Sequence, residues 1–234
     1  MASYSENCLI CGSELVYSAS ATKANCHFCG AEHQTNALCG NNHYVCDTCH
    51  AAGGVLFIRQ HAGETDSKNP IAIATAMMQH PGVKMHGPEH HYLVAAALLT
   101  AFHNAGGQVN FAKALDNAEQ RAKKVPGGTC GLWGSCGAGI GTGIFISAIT
   151  GATPLSGKEW SLANTMTSKA LGTVAAHGGP RCCKRNTYLS INQAIAFVAE
   201  EFHIAMEVPD HIDCAFSHRN KECKKDFCPF FRQK

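Results

Sequence analysis

Four pairs of residues suited to binding a metal lie within the first fifty positions. They are Cys8-x2-Cys11, Cys26-x2-Cys29, Cys39-x3-His43 and Cys46-x2-Cys49. A gap of two residues lets both sulfurs of a pair point at one tetrahedral ion, and Zn²⁺ is the ion that such knuckles usually hold. Eight ligands suffice for two ions, so we expect one or two zinc ions in this segment.

The spacing leaves the pairing of these knuckles open. Consecutive pairing gives one all-cysteine site and one site of three cysteines and a histidine, whereas alternate pairing gives a cross-brace. His33 or His50 could also take the place of His43. In either arrangement the sites are closed, and closed tetrahedral zinc sites usually stabilise a small fold without doing chemistry.

The remaining half of the fourteen cysteines lies far along the chain. These residues are Cys130, Cys136, Cys182, Cys183, Cys214, Cys223 and Cys228. Cys136 and the Cys182–Cys183 pair each precede a predicted helix. The positive end of a helix dipole lowers the pKa of a thiol and favours an anionic cluster.

Thiolates that are irregularly spaced and drawn from distant loops are more typical of an iron–sulfur cluster than of zinc. We therefore predict one or two clusters, with Cys130, Cys136, Cys182, Cys214, Cys223 and Cys228 as cofactor ligands. Zinc and a metal-free dithiol pair formed by Cys182 and Cys183 are the alternatives. Adjacent cysteines seldom bind one ion together, so we assign Cys183 a redox or resolving role.

The segment His86-Gly-Pro-Glu89-His90-His91 supplies candidate acid–base groups. His86-x2-Glu89-His90 matches the inverted zincin pattern, but that mechanism needs both histidines on one helical face, and Pro88 places His86 before the helix. We expect Glu89 and His90 to act catalytically as proton donors beside the cysteine centre or to be extra ligands of it, or else to cap the helix. The glycines from Gly137 to Gly143 imitate a nucleotide-binding loop, yet no β-strand is predicted before them.

Gly and Pro punctuate a helical pattern that starts at Pro70, and about six helices are predicted from there. We expect a mainly α protein, with an all-α domain over 70–234, a connection over 53–69 and a small zinc-ribbon or cross-brace module over 1–52. The net charge of +2 does not favour nucleic-acid binding. No apolar run approaches the length of a membrane span. Fourteen cysteines without a secretory signal predict a cytoplasmic location.

The order of the motifs resembles an uncharacterised cysteine-rich family of anaerobic prokaryotes. The motifs are the knuckles, the HGPEHH segment, Cys130 to Gly143, Arg-Cys182-Cys183 and Cys228-Pro-Phe-Phe231. Members of that family are sometimes attached to methyltransferase or radical-enzyme domains. A looser similarity connects Cys130, Cys136-Gly-Ala and Cys182–Cys183 with redox-active proteins named for a C-GCAxxG-C-C motif. Ser135 stands where that motif has Gly, and Gly137 is an additional residue.

Together these observations predict an iron–sulfur and zinc protein, with a [4Fe–4S] cluster as the expected form. It would act in redox chemistry or as a cluster-dependent enzyme, with a small-molecule substrate or an electron-transfer partner. The alternative is a zinc-stabilised accessory module, without catalysis of its own, for a methyltransferase or radical enzyme.

Overall fold

The N-terminal part of the computed structural model, which describes residues 7–232, is an antiparallel hairpin. Strand β1 (Leu15–Asn25) pairs with β2 (Glu32–Cys39), with Leu15 opposite Cys39 and Asn25 opposite Glu32. Most side chains of β1 are exposed, so apolar burial contributes little to the hairpin. The ligand knuckles lie at its two ends: Cys39 closes β2 beside the start of β1, and Cys26 and Cys29 lie in the connecting turn.

Helices form most of the remaining described chain. They are α1 (Asp47–Glu64), α2 (Pro70–Gln79), α3 (Glu89–Asn104), α4 (Phe111–Ala122), α5 (Thr129–Leu132), α6 (Gly137–Thr150), α7 (Lys158–Ala176) and α8 (Cys183–Phe202). The tail that follows α8 contains two short 3₁₀ turns, Ser217–Arg219 and Lys225–Phe227. The predicted fold class, a mainly α protein with a small cysteine-rich module in front, is confirmed.

Helix α3 is the centre of the core. Every residue from Glu89 to Phe102 is buried, and the helix packs against α1, α2, α4, α6 and α8. A helix that is apolar on all sides has to be surrounded by other elements. Its N-terminus, which carries the HGPEHH segment, is therefore inside the protein and adjacent to several neighbouring helices.

Local signals explain several helix starts. Asn69 caps α2 through its Oδ1, which accepts hydrogen bonds from the backbone N–H groups of Ile71 and Ala72, and Pro70 occupies the first helical position. Asn110 caps α4 in the same way. Pro88 precedes α3, so His86 lies outside the helix, as the sequence predicts.

Helix α1 crosses the segment where the sequence indicates a connection. It continues through Gly53 and Gly54 because Ala51, Ile58 and Ala62 are buried against the core on one side. Gly54 is a packing residue: a Cβ atom there would lie 2.6 Å from the carbonyl oxygen of Gly82. Gly54 thus marks a close contact between backbones, whereas the sequence interpretation took Gly53 and Gly54 as part of a connection.

The glycines after Cys136 also serve packing. They lie inside α6, which runs between α3 and α7. A Cβ at Gly141 would lie 2.8 Å from the His91 carbonyl oxygen of α3, and one at Gly139 would lie 2.7 Å from Leu171 of α7. No helix within the described residues is long and apolar enough to cross a membrane.

Candidate metal centres

The eight N-terminal ligands form two separate groups, and the knuckles alternate between them. Cys8, Cys11, Cys39 and His43 make one group. Cys26, Cys29, Cys46 and Cys49 make the other. In each group all four ligand atoms lie within 4.8 Å of one another, which is the arrangement of a cross-brace.

The distances within these groups suit a tetrahedral ion such as zinc. The sulfurs of Cys11 and Cys39 are 3.8 Å apart, and so are those of Cys29 and Cys46. Two thiolates at ~2.3 Å from one zinc in tetrahedral geometry are separated by about 3.8 Å. His43 Nδ1 lies 3.6 Å from the Cys39 sulfur, which is close enough for the histidine to bind the same ion as the cysteines.

His43 completes the first group, and the two other candidate histidines lie elsewhere. His33 packs beside Tyr44, with ring centroids 5.8 Å apart. His50 lies on α1 with its Nδ1 3.8 Å from Glu89 Oε2, beyond hydrogen-bond distance. The cross-brace therefore adjoins the N-terminus of α3 through α1.

Four of the C-terminal cysteines line one pocket between the start of α8 and the tail. They are Cys182, Cys214, Cys223 and Cys228. Met85, Phe216, Phe230 and Phe231 supply the apolar part of the lining, and Arg185 and Lys224 supply its positive charges. The tail cysteines, separated from Cys182 by the whole of α8, thus return to its N-terminus.

Backbone N–H groups point at the sulfurs of this pocket. The N–H of Arg185 donates to Cys182 Sγ, that of Phe216 to Cys214 Sγ and that of Lys225 to Cys223 Sγ, each at 3.4 Å. Burial raises the pKa of Cys182 and of Cys214, while these N–H bonds act in the opposite direction. Such N–H···S bonds stabilise the charged form of a sulfur, which is the form that binds a metal.

The second group of C-terminal thiols, Cys130, Cys136 and Cys183, lies outside this pocket. Asn186 Nδ2 donates to Cys136 Sγ at 3.3 Å. The backbone N–H of Gly87 donates to Cys183. Cys183 is partly exposed as a residue, yet burial of its thiol raises the pKa to about 12, and the charges of Cys136 and Glu89 add to that rise.

Glu89 and His90 lie beside the second group. Glu89 is fully buried; its Oε1 accepts from the Lys84 backbone N–H at 2.7 Å, while Oε2 has no hydrogen-bond partner. Burial raises the pKa of Glu89 to about 7. Burial, followed by the charge of Lys184, keeps the pKa of His90 well below its usual value.

The structure divides the predicted cofactor ligands between two places. Cys182 lines the tail pocket with the three tail cysteines, whereas Cys130, Cys136 and Cys183 do not line it. Arg185 was expected beside the Cys182 and Cys183 thiols from its place in the sequence, and its backbone N–H donates to Cys182 Sγ. Asn186, which donates to Cys136 Sγ, was not singled out; its position three residues after Cys183, at the start of a predicted helix, was the available signal.

Comparison with known proteins gives one match. A family model described as a family of unknown function, DUF5714, matches residues 58–231. This range contains all seven C-terminal cysteines and the HGPEHH segment, and it begins after the last ligand of the cross-brace. No curated protein and no solved structure matches the chain.

Proposed function

The chain belongs to the DUF5714 family, whose function is unknown, and we propose that it is a redox protein that carries zinc and iron–sulfur centres. In this proposal the cross-brace holds two structural Zn²⁺ ions. Cys182, Cys214, Cys223 and Cys228 hold a [4Fe–4S] cluster that takes up and releases one electron at a time. The observation that carries the proposal is the convergence of these four thiols on one pocket.

The spacing of the four sulfurs supports a cluster over a single ion. Two thiolates on one zinc can be no further apart than about 4.6 Å, twice the ~2.3 Å bond. Among the residues described, groups of three or more ligand atoms within 4.8 Å of one another occur at the two cross-brace sites and not in this pocket. A cluster spreads its thiolates over separate iron atoms, and so it suits sulfurs that surround a pocket at wider spacing.

The surroundings of the pocket suit an anionic cluster. Three of the four sulfurs accept a backbone N–H, and Arg185 and Lys224 place positive charge at the lining. Hydrogen bonds to sulfur, burial and net charge are the factors that set a cluster's potential. With a cysteine for each iron, this cluster has no vacant position for a substrate, and it therefore acts in electron transfer.

Anaerobic reconstitution tests the proposal. The purified chain, treated with ferrous iron and sulfide, should become brown, contain iron and acid-labile sulfide in equal amounts, and give an electron paramagnetic resonance (EPR) signal after reduction with dithionite. The double variant Cys214→Ser/Cys228→Ser should lose the signal of this cluster because half of its ligands are gone. Zinc content and helical circular dichroism should stay at the wild-type values.

The matched control removes a thiol from the cross-brace. Cys49→Ser should lower the zinc content and leave the iron signal in place, because Cys49 belongs to the other kind of site. A colourless wild-type protein that contains zinc alone after reconstitution would refute the redox function. It would favour the zinc-stabilised accessory module instead.

A further inference from the structure

We propose that the chain holds a second iron–sulfur cluster, ligated by Cys130, Cys136, Cys183 and the Nε2 atom of His91. The inference builds on the function proposed above, because it assigns the neighbouring thiols to the same chemistry. Consecutive residues, Cys182 and Cys183, would then bind two different clusters.

Hydrogen bonds join the two segments that carry Cys130 and Cys136. Thr129, at the start of α5, is bonded to Ser135 twice: its Oγ1 donates to the Ser135 carbonyl at 2.9 Å, and its own carbonyl accepts the Ser135 N–H at 3.1 Å. These bonds hold the residue before Cys130 beside the residue before Cys136. The α5 turn and the N-terminus of α6 are thereby joined.

Helix α8 brings the third thiol to this pair. Asn186 lies three residues after Cys183, so the two side chains are neighbours on the helix surface. Asn186 reaches the Cys136 sulfur at 3.3 Å.

His91 has the environment of a metal-ligating histidine. Its Nδ1 lies 3.1 Å from the Val125 carbonyl oxygen, and ligating histidines commonly use one ring nitrogen in this way while the other binds the metal. The opposite edge of the ring rests on Gly137, the residue after Cys136. A Cβ atom on Gly137 would lie 2.2 Å from His91 Nε2. The lack of a side chain at this position lets the imidazole lie against the N-terminus of α6, next to Cys136.

The spacing of these ligands does not suit a single ion. Cys130, Cys136, Cys183 and His91 do not belong to either of the compact ligand groups found among residues 7–232. A single ion would need sulfurs within about 4.6 Å of one another. Histidine replaces cysteine as a ligand in some iron–sulfur centres, where it raises the reduction potential.

The two clusters would be close neighbours. The Cα atoms of Cys182 and Cys183 are separated by one peptide unit, about 3.8 Å. Cys182 lines the tail pocket, and Cys183 does not. Unpaired electrons on two reduced clusters at this separation should interact magnetically, and electrons should pass between them.

The experiment counts iron and sulfide in the reconstituted full-length chain and in two double variants. The wild type should hold about eight iron and eight sulfide, as expected for two four-iron clusters. Cys136→Ser/Cys183→Ser and Cys214→Ser/Cys228→Ser should each hold about half of that amount. The reduced wild type should show a broadened EPR spectrum from coupled spins, and each variant should show a narrower spectrum of one cluster.

Pulsed EPR tests the histidine ligand. The Cys214→Ser/Cys228→Ser protein, which retains the second cluster alone, should show hyperfine coupling to a nitrogen nucleus. Adding His91→Gln should abolish that coupling. Adding His103→Gln should not, because His103 stacks on Phe111 at the other end of α3.

The outcomes separate the two proposals. If the wild type holds about four iron and loses them all in Cys214→Ser/Cys228→Ser, the tail cluster stands and the second cluster is refuted. If the iron is lost in Cys136→Ser/Cys183→Ser alone, the tail cluster is refuted. If about eight iron are present without nitrogen coupling, His91 is not a ligand and the inference fails in that part. Helical circular dichroism and a zinc content of about two confirm that each variant has folded.

Discussion

Replacing Gly137 with alanine should destabilise the protein, although alanine is the better helix former. A Cβ atom at this position would lie 1.9 Å from Cδ2 and 2.2 Å from Nε2 of His91. Carbon atoms in contact are normally ~3.5–4.0 Å apart, so the imidazole has to move by about 1.6 Å or more. That movement breaks the 3.1 Å contact between His91 Nδ1 and the Val125 carbonyl oxygen.

The expected loss of stability can be worked out from these contacts. Overpacking costs about 1–3 kcal/mol, and the lost hydrogen bond costs about 1 kcal/mol more. Alanine in place of glycine returns up to ~1 kcal/mol of helix propensity. The net loss is about 1–3 kcal/mol. For a chain of this size it lowers Tm by roughly 2–12 °C, at ~2–4 °C for each kcal/mol.

Gly172 provides the matched control. It lies inside α7 with no atom within 4 Å of an added Cβ, so Gly172→Ala should raise the stability by about 0.5–1 kcal/mol. Thermal unfolding of the zinc-loaded, iron-free proteins, followed by circular dichroism, measures both variants. If Gly137→Ala is as stable as Gly172→Ala, the close approach of His91 to α6 is refuted. In the reconstituted protein, Gly137→Ala should also lower the iron content, because His91 is displaced.

Three other predictions test the structure more widely. Cys26→Ser/Cys46→Ser should leave about one zinc by elemental analysis, and Cys39→Ser/Cys46→Ser should leave none, because the first pair disables one cross-brace site and the second disables both; consecutive pairing of the knuckles would reverse the two results. Asn104→Ala should lower the free energy of unfolding in urea by about 1–3 kcal/mol, because Asn104 Nδ2 donates to the carbonyl oxygens of Thr65 and Ser67; an unchanged unfolding midpoint would contradict this connection between α3 and the α1–α2 loop. Tyr188→Phe should lower the free energy of unfolding by about 1 kcal/mol, because it removes the buried hydroxyl and its 3.0 Å hydrogen bond to Thr75, while Thr75 keeps its bond to the Ile71 carbonyl. A loss above ~3 kcal/mol would mean that the packing of the ring has changed as well.

Local chemistry explains which parts of the fold could be predicted. The starts of α2 and α4 were predictable because Asn69 and Asn110 cap the residues that follow them. The start of α3 was predictable because Pro88 acts on its neighbours and leaves His86 outside the helix. The ligand pairs could be predicted for the same reason, since each knuckle spans only a few residues. Their cross-brace pairing could not be predicted, because it depends on how the hairpin brings distant knuckles together.

Features that depend on long-range packing were missed or left open. Helix α1 was not expected to cross Gly53 and Gly54, because glycine in a sequence signals a linker as readily as a tight contact. The hairpin strands gave little signal, since the side chains of β1 are almost all exposed. Cys182 lines the tail pocket, and Cys183 does not. This separation depends on how the tail and α6 pack around the N-terminus of α8, which the sequence does not show.

That separation also bears on the dithiol alternative, in which Cys182 and Cys183 exchange thiol and disulfide forms. The Cys182 sulfur accepts the Arg185 N–H, and Cys182 lines the tail pocket, whereas Cys183 does not line it. Two cysteines whose side chains lie in different places cannot be joined without backbone movement. We therefore expect that mild oxidation of the iron-free chain leaves this pair unlinked, as judged by peptide mass spectrometry. Cys182→Ser should instead lower the iron content of the reconstituted protein, and a Cys182–Cys183 disulfide with full iron binding by Cys182→Ser would refute the ligand assignment.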